Sequence, residues 1–227
     1  MPQSHFSEPV SDLTLHYRQH LPVPQRPRGG VLLLHGVGGN ETSLAALANC
    51  LDPTLAIALV RAPFLLAPGQ FGWFTVQFHS DGPHIDPGQA DASRLKLDQF
   101  IQEWQRRYGL TPEQTLIAGF SQGGIMSASL ALTRPQRVAG FACLSGRFLP
   151  EIEKELAPPE ALAHLQAFVA HGRQDSKLPV AWALKADALL HRLKLEHGTH
   201  LYPADHEITP RMAEDFRDWV QDRLPPA

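Results

Sequence analysis

The chain has 227 residues, 43% of them hydrophobic and 19% charged, with 20 Lys and Arg against 23 Asp and Glu. That length supports a large core without disulfides or metals, and a net charge of only -3 argues against nucleic-acid binding through a basic stripe. No window approaches the roughly 20 uninterrupted apolar residues of a membrane span. Residues 1–10 (MPQSHFSEPV) carry neither the basic nor the apolar stretch of a secretory signal. A soluble cytoplasmic protein, monomer or homodimer, without stable membrane insertion is expected. The two cysteines, Cys50 and Cys143, share no metal-like spacing and are read as buried free thiols.

In chain order, residues 13–18 suggest an antiparallel edge strand, and the proline-rich stretch 21–28 (LPVPQRPR) a loop. Apolar runs at 31–35 and 55–60 are short enough for strands. Segment 61–91 is the least regular, rich in proline and glycine, and reads as a long lid or binding loop. It carries Phe71, Trp73, Phe74 and Phe78, a ring cluster suited to lining a pocket or to packing beneath the loop. Residues 90–108 place Leu95, Leu97, Ile101 and Trp104 at helical spacing, with Gly109 as the stop. Strands are expected at 115–120, 138–144, 167–171 and 194–202. Helices are expected at 125–132, 180–193 and 209–224, the last with Met212, Phe216, Trp219 and Val220 on one face. Residues 151–160, with Pro158 and Pro159, form an excursion too small to roof a site. Strands that are apolar on successive residues and alternate with helices call for a mostly parallel sheet covered on both faces, in one α/β domain over 1–227.

Gly119-Phe120-Ser121-Gln122-Gly123 matches G-x-S-x-G between an expected strand and an expected helix, the context of a nucleophile elbow. A serine hydroxyl needs a base, and the base an orienting acid. In this fold the order is Ser, Asp, His. Asp175 follows the run 167–171, with Asp187 and Asp205 as rivals, and His206 follows the last strand. His197 and His200 lie in or beside that strand and are read as structural or exposed. After the strand at 31–34 comes His35-Gly36-Val37-Gly38-Gly39-Asn40, a turn whose backbone amides can face a site. The amides of Val37 and Gln122 are assigned to an oxyanion hole. No lysine follows the glycines as a phosphate loop requires, and H-E-x-x-H is absent.

LLLHGVGGNE, GFSQGG, HGRQDSKLP and YPADHEI together resemble the phospholipase/carboxylesterase family of small serine α/β-hydrolases, from about residue 31 to the C-terminus. That family includes bacterial carboxylesterases and acyl-protein thioesterases. The resemblance implies an α/β-hydrolase fold, Ser121 as nucleophile, Asp175 as acid, His206 as base and Val37 and Gln122 as amide donors. Trp73-Phe74 resembles the family's WF element beside the acyl pocket. Asp205 stands where the family has glycine before the histidine, and Lys177 and Leu178 replace its usual pair after the acid.

The expected reaction is two-step hydrolysis of a small-molecule carboxylic ester or thioester, with no cofactor and no metal. The apolar acyl group is expected near Phe71, Trp73 and Phe74. The alternatives are a lysophospholipase or acyl-protein thioesterase with a long acyl channel, or a binding protein on the same fold without catalysis.

Overall fold

The computed structural model describes residues 5–79 and 82–224. Strands β1 (Tyr17–Gln19), β2 (Gly30–Leu34), β3 (Ala56–Val60), β8 (Thr115–Phe120), β9 (Gly140–Leu144), β10 (Gln166–Gly172) and β11 (Glu196–Tyr202) form one sheet in the order β1-β3-β2-β8-β9-β10-β11. Only β1 runs antiparallel in this sheet, on β3, and it overlaps the C-terminal end of the expected strand 13–18. The helices are α1 (Ala45–Ala48), α2 (Pro87–Tyr108), α3 (Gln122–Thr133), α4 (Pro159–Leu162), α5 (Ala181–Arg192) and α6 (Pro210–Arg223).

The central strands β2, β3 and β9 are buried at every position, because helices cover both faces. Their side chains still alternate. Leu32 and Leu34 join Phe100 and Trp104 of α2 in one core, while Val31 and Leu33 join Phe216 and Val220 of α6 in the other. The approach is tight: a Cβ on Gly30 would lie 2.5 Å from the Trp104 ring. α2 starts where the Asp86 side chain accepts from the Gln89 amide and ends at Gly109, whose φ is 65°. Among the described residues no helix is long and apolar enough to cross a membrane.

Three sequence expectations are corrected. Segment 61–91 is two β-hairpins rather than an irregular loop: β4 (Phe64–Ala67) with β5 (Gln70–Gly72), and β6 (Val76–His79) with β7 (Gly82–Ile85), followed directly by α2. Proline and glycine at the turns, such as Gly69 with φ 73°, interrupt the alternation that would reveal such short strands. β11 (EHGTHLY) is an edge strand that, among the described residues, pairs with β10 alone, and of its own residues only Tyr202 is buried, so it is not covered on both faces as its apolar reading implied. Cys50 is exposed, at the outer end of α1, where its thiol donates to the Ala46 carbonyl at 3.3 Å. Cys143 is buried as expected, and burial pushes its thiol up to about 12.

The chain leaves β2 toward β3 on one side and returns to β8 on the other. The carboxyl ends of β2 and β8 therefore flank a crevice, the position at which open α/β sheets bind ligands. The loop after β2 is held there by Glu41, which is 5% exposed and accepts from Arg61 at 2.6 and 2.5 Å. Arg61 follows β3, and its guanidinium lies 4.7 Å from the Phe71 ring of β5, so one cation ties loop, strand and hairpin.

The hydrogen bonds from Arg61 lower the Glu41 carboxyl from 4.5 to about 2. A depressed folded-state value stabilises fully above the unfolded value and is lost as pH falls from about 4.5 to about 2. Glu41→Gln should therefore lose about 2 kcal/mol at neutral pH, less than a sealed pair because Arg61 is partly solvated. In urea titrations that deficit should shrink through the acid window. A deficit independent of pH would contradict the clamp.

Candidate active site

Ser121 sits between β8 and α3 with φ 53° and ψ −117°, a conformation that L side chains rarely adopt. Its amide donates to the Leu144 carbonyl at 2.8 Å, and its carbonyl accepts from Ile125 at 3.0 Å, so the turn is pinned on both sides. A Cβ on Gly119 would lie 2.2 Å from the Gly123 carbonyl carbon, and one on Gly123 would lie 2.0 Å from the Leu34 oxygen. Those contacts are with backbone and cannot yield, so both positions require glycine.

From the end of β11, His206 reaches across to this turn. Its Nε2 accepts from Ser121 Oγ at 3.0 Å, and its Nδ1 donates to Asp175 Oδ2 at 2.7 Å, the tautomer that the network of partners assigns. The Asp175 carboxylate is fully buried, and its Oδ1 accepts the amides of Lys177 (2.9 Å) and Leu178 (2.7 Å). His171, which sequence reasoning did not single out, donates from Nε2 to the Leu178 carbonyl at 2.7 Å and lies 3.3 Å from Asp175 Oδ2. Its only sequence signal was its place at the end of β10.

The rival acids point elsewhere. Asp205 is exposed and accepts from the Ser176 amide at 2.7 Å and from its hydroxyl at 3.2 Å. Those bonds, the amide first, hold its carboxyl below the ordinary value. Asp205 thus braces the loop that carries Asp175. Asp187 pairs with His197 at 3.3 Å, and the His200 ring stacks on Phe168.

A cavity of about 330 Å³ opens beside Ser121 and His206, walled by Phe74, Val76, Ile85, Phe120 and Ile125, with Gly36, Val37, Arg147, Lys177 and Leu178 completing it. The backbone amides of Val37 and Gln122 donate to no acceptor among the described residues. Of the three rings expected in the pocket, only Phe74 lines it. Trp73 is fully buried behind the wall, its indole N–H donating to the His35 carbonyl at 2.9 Å. Phe71 faces Arg61 instead. The Phe78 side chain lies outside the described residues. Trp73 and Phe74 lie in the bend between β5 and β6, where the Trp73 ring turns inward to the His35 carbonyl and the Phe74 ring reaches the cavity. The missed wall residues Val76 and Ile85 pair across β6 and β7, which only recognition of that hairpin would have revealed.

The Gln122 side chain explains the residue after the serine. Its Oε1 accepts from the Trp73 amide at 2.7 Å, and its Nε2 donates to the Phe74 carbonyl at 2.7 Å. A side-chain amide thus completes the backbone bonding of the segment that enters the cavity wall. The Ser93 hydroxyl donates to the Trp73 carbonyl from the other side.

A family model described as phospholipase/carboxylesterase matches residues 23–223. The chain is 27% identical over 215 residues to an acyl-protein thioesterase 1 of Kluyveromyces lactis, covering 87% of this chain and 91% of that one. It is 31% identical over 176 residues to the esterase YpfH of Escherichia coli, covering 74% and 71%. A carboxylesterase structure from Mesorhizobium loti superposes with a TM-score of 0.82 at 24% identity, over 96% of this chain and 99% of that one. At that identity the superposition speaks for the fold.

Gln122→Leu keeps the side-chain volume but strands two buried backbone groups, each costing about 1–3 kcal/mol unpaired. We expect a total loss of about 2–4 kcal/mol in urea unfolding, with amide exchange at Trp73 accelerated more than in the central strands. Unchanged protection at Trp73 would show that Gln122 does not hold the segment.

Proposed function

The chain belongs to the phospholipase/carboxylesterase family of α/β-hydrolases, and from that premise we propose that it hydrolyses carboxylic esters through an acyl-enzyme on Ser121. His206 takes the hydroxyl proton as Ser121 attacks the ester carbonyl. The developing oxyanion is received by the amides of Val37 and Gln122, the latter at the N-terminus of α3, whose dipole favours negative charge. His206 then protonates the leaving alcohol, and in the second step removes a proton from the water that releases the acid. Asp175 keeps Nδ1 protonated and Nε2 free to accept, and stabilises the imidazolium that forms in each step.

The observation that carries this reading is the continuous chain of hydrogen bonds from Ser121 through His206 to a sealed carboxylate, opening on a mostly apolar cavity. A volume of about 330 Å³ lies at the lower end of small-molecule pockets, about 300–1,000 Å³, and favours short acyl groups. Phe74, not Phe71 or Trp73, is the ring we assign to acyl binding. A thioester would react by the same steps, and the likeness to an acyl-protein thioesterase supports thioesters as the second substrate class. The proposal includes a cytoplasmic monomer or homodimer acting on a small-molecule ester, and a single domain over 1–227 that needs neither metal nor cofactor for these steps.

Ser121→Ala should lower the hydrolysis of 4-nitrophenyl esters on the order of 10³-fold or more, and should abolish labelling by a fluorophosphonate, with melting unchanged. Retained turnover at equal purity would refute the nucleophile. Asp175→Asn should cost on the order of 10³-fold or more, and Asp205→Asn should stay within about tenfold because it touches only the loop. The reverse order would reassign the acid.

A further inference from the structure

Arg147 follows β9 and forms part of the wall of the cavity beside Ser121. It is only 8% exposed, yet among the described residues no carboxylate lies within ion-pair distance of its guanidinium and no acceptor within hydrogen-bond distance. Its guanidinium lies over the Trp182 ring of α5, 4.9 Å from the guanidinium carbon, and that ring also carries the Lys185 ammonium at 4.4 Å. Burial pushes Arg147 below its ordinary value, countered only by the more distant Glu151. The other buried arginine of comparable exposure, Arg94, is met by Asp91, Glu155 and Thr133. None of the Arg147 nitrogens is completely sealed, yet burial strips part of a guanidinium's hydration, and a ring face alone replaces little of it.

The remainder of the cavity sharpens the contrast. Lys177, at its mouth, is a second cation with no ion-pair partner among the described residues, and no acidic residue is among those that line it. Asp175 is sealed behind His206. We propose that Arg147 is a specificity-determining residue that binds a carboxylate carried by the substrate, so that the preferred substrates are esters bearing a free carboxylate. With one face on Trp182, the planar guanidinium keeps its N–H edge for two parallel bonds to a carboxylate. Phe74, Val76 and Ile85 take the methylenes between that carboxylate and the scissile bond. This inference rests on the hydrolytic reading of Ser121 and deepens it.

The test compares 4-nitrophenyl monoesters of succinate, glutarate and adipate with uncharged alkanoyl esters of matching length. The enzyme-free rate is subtracted, because a free carboxylate can attack its own ester. Wild type should prefer the carboxylate ester at the best length by about tenfold in kcat/KM, and raised salt should erode that preference. Arg147→Leu should collapse the ratio between the two series toward one, mainly through KM, and Arg147→Lys should restore it in part. Equal rates for both series in wild type would overturn the proposal, as would a parallel fall of both in Arg147→Leu with the ratio intact, the signature of a structural role. Stronger selection for esters bearing a phosphate would overturn the assignment to carboxylate. Should Arg147→Leu fail to fold, the wild-type salt dependence and the lysine variant decide. Hydrolysis of alkanoyl esters without a carboxylate preference defeats this inference alone, whereas no Ser121-dependent hydrolysis of either series defeats the hydrolytic reading beneath it.

Discussion

The close approach of the first turn of α3 to the ends of β2 and β8 is the constraint from which the site is built. Side chains at 119 or 123 would drive Cβ atoms into backbone at 2.2 and 2.0 Å, so the helix can sit there only over glycine. The same approach forces Ser121 into its positive-φ conformation and lifts its hydroxyl out of the sheet. It also brings the Gln122 amide alongside the loop after β2. Strain at one residue is tolerable because Leu144 and Ile125 bind its backbone on either side.

Around that turn, buried polar side chains replace backbone bonds that irregular segments cannot make for themselves. Gln122 holds residues 73 and 74, the Trp73 indole holds the end of β2, and Ala62 donates to His35 Nε2 at 3.0 Å. His35 thus keeps its proton on Nδ1, which donates to Gly36 at 2.7 Å, and burial lowers its affinity for a second proton. Together with the Glu41–Arg61 pair, these bonds join the elbow, the loop after β2 and the hairpins into one rigid wall. Were the cavity to take a short acyl group, as proposed, such a wall would turn a misfit of a few carbons into discrimination.

On the opposite side, the loop after β10 is wound around a single carboxylate. One oxygen of Asp175 takes two backbone amides and the other faces His206, so the acid has little rotational freedom left. Asp205, which stands where the family has glycine, fastens this loop to the one that carries His206. Lys177 and Arg147 then border a cavity that is otherwise apolar. The scaffold is shared with the carboxylesterase structure it superposes on, and the charge on its wall is a feature of this chain's own residues.

By itself, the sequence determined what local chemistry dictates. Strands buried on both faces show as unbroken apolar runs, Gly109 marks a helix end, and the elbow reads from residues 119–123, because each of these signals lies within a few adjacent positions. Order along the chain also singled out Asp175 and His206, since each follows a strand whose end faces the same crevice. Tertiary structure decided the rest. It separated Phe74 from Trp73 and Phe71, which composition could not, because the direction of a ring depends on the bend of a segment held by a distant glutamine. It found the hairpins hidden beneath proline and glycine, gave Asp205 a bracing partner, and showed His171 behind the acid. Among the described residues it left Arg147 without a counter-charge, a fact no linear pattern contains, because it concerns which groups failed to arrive within bonding distance.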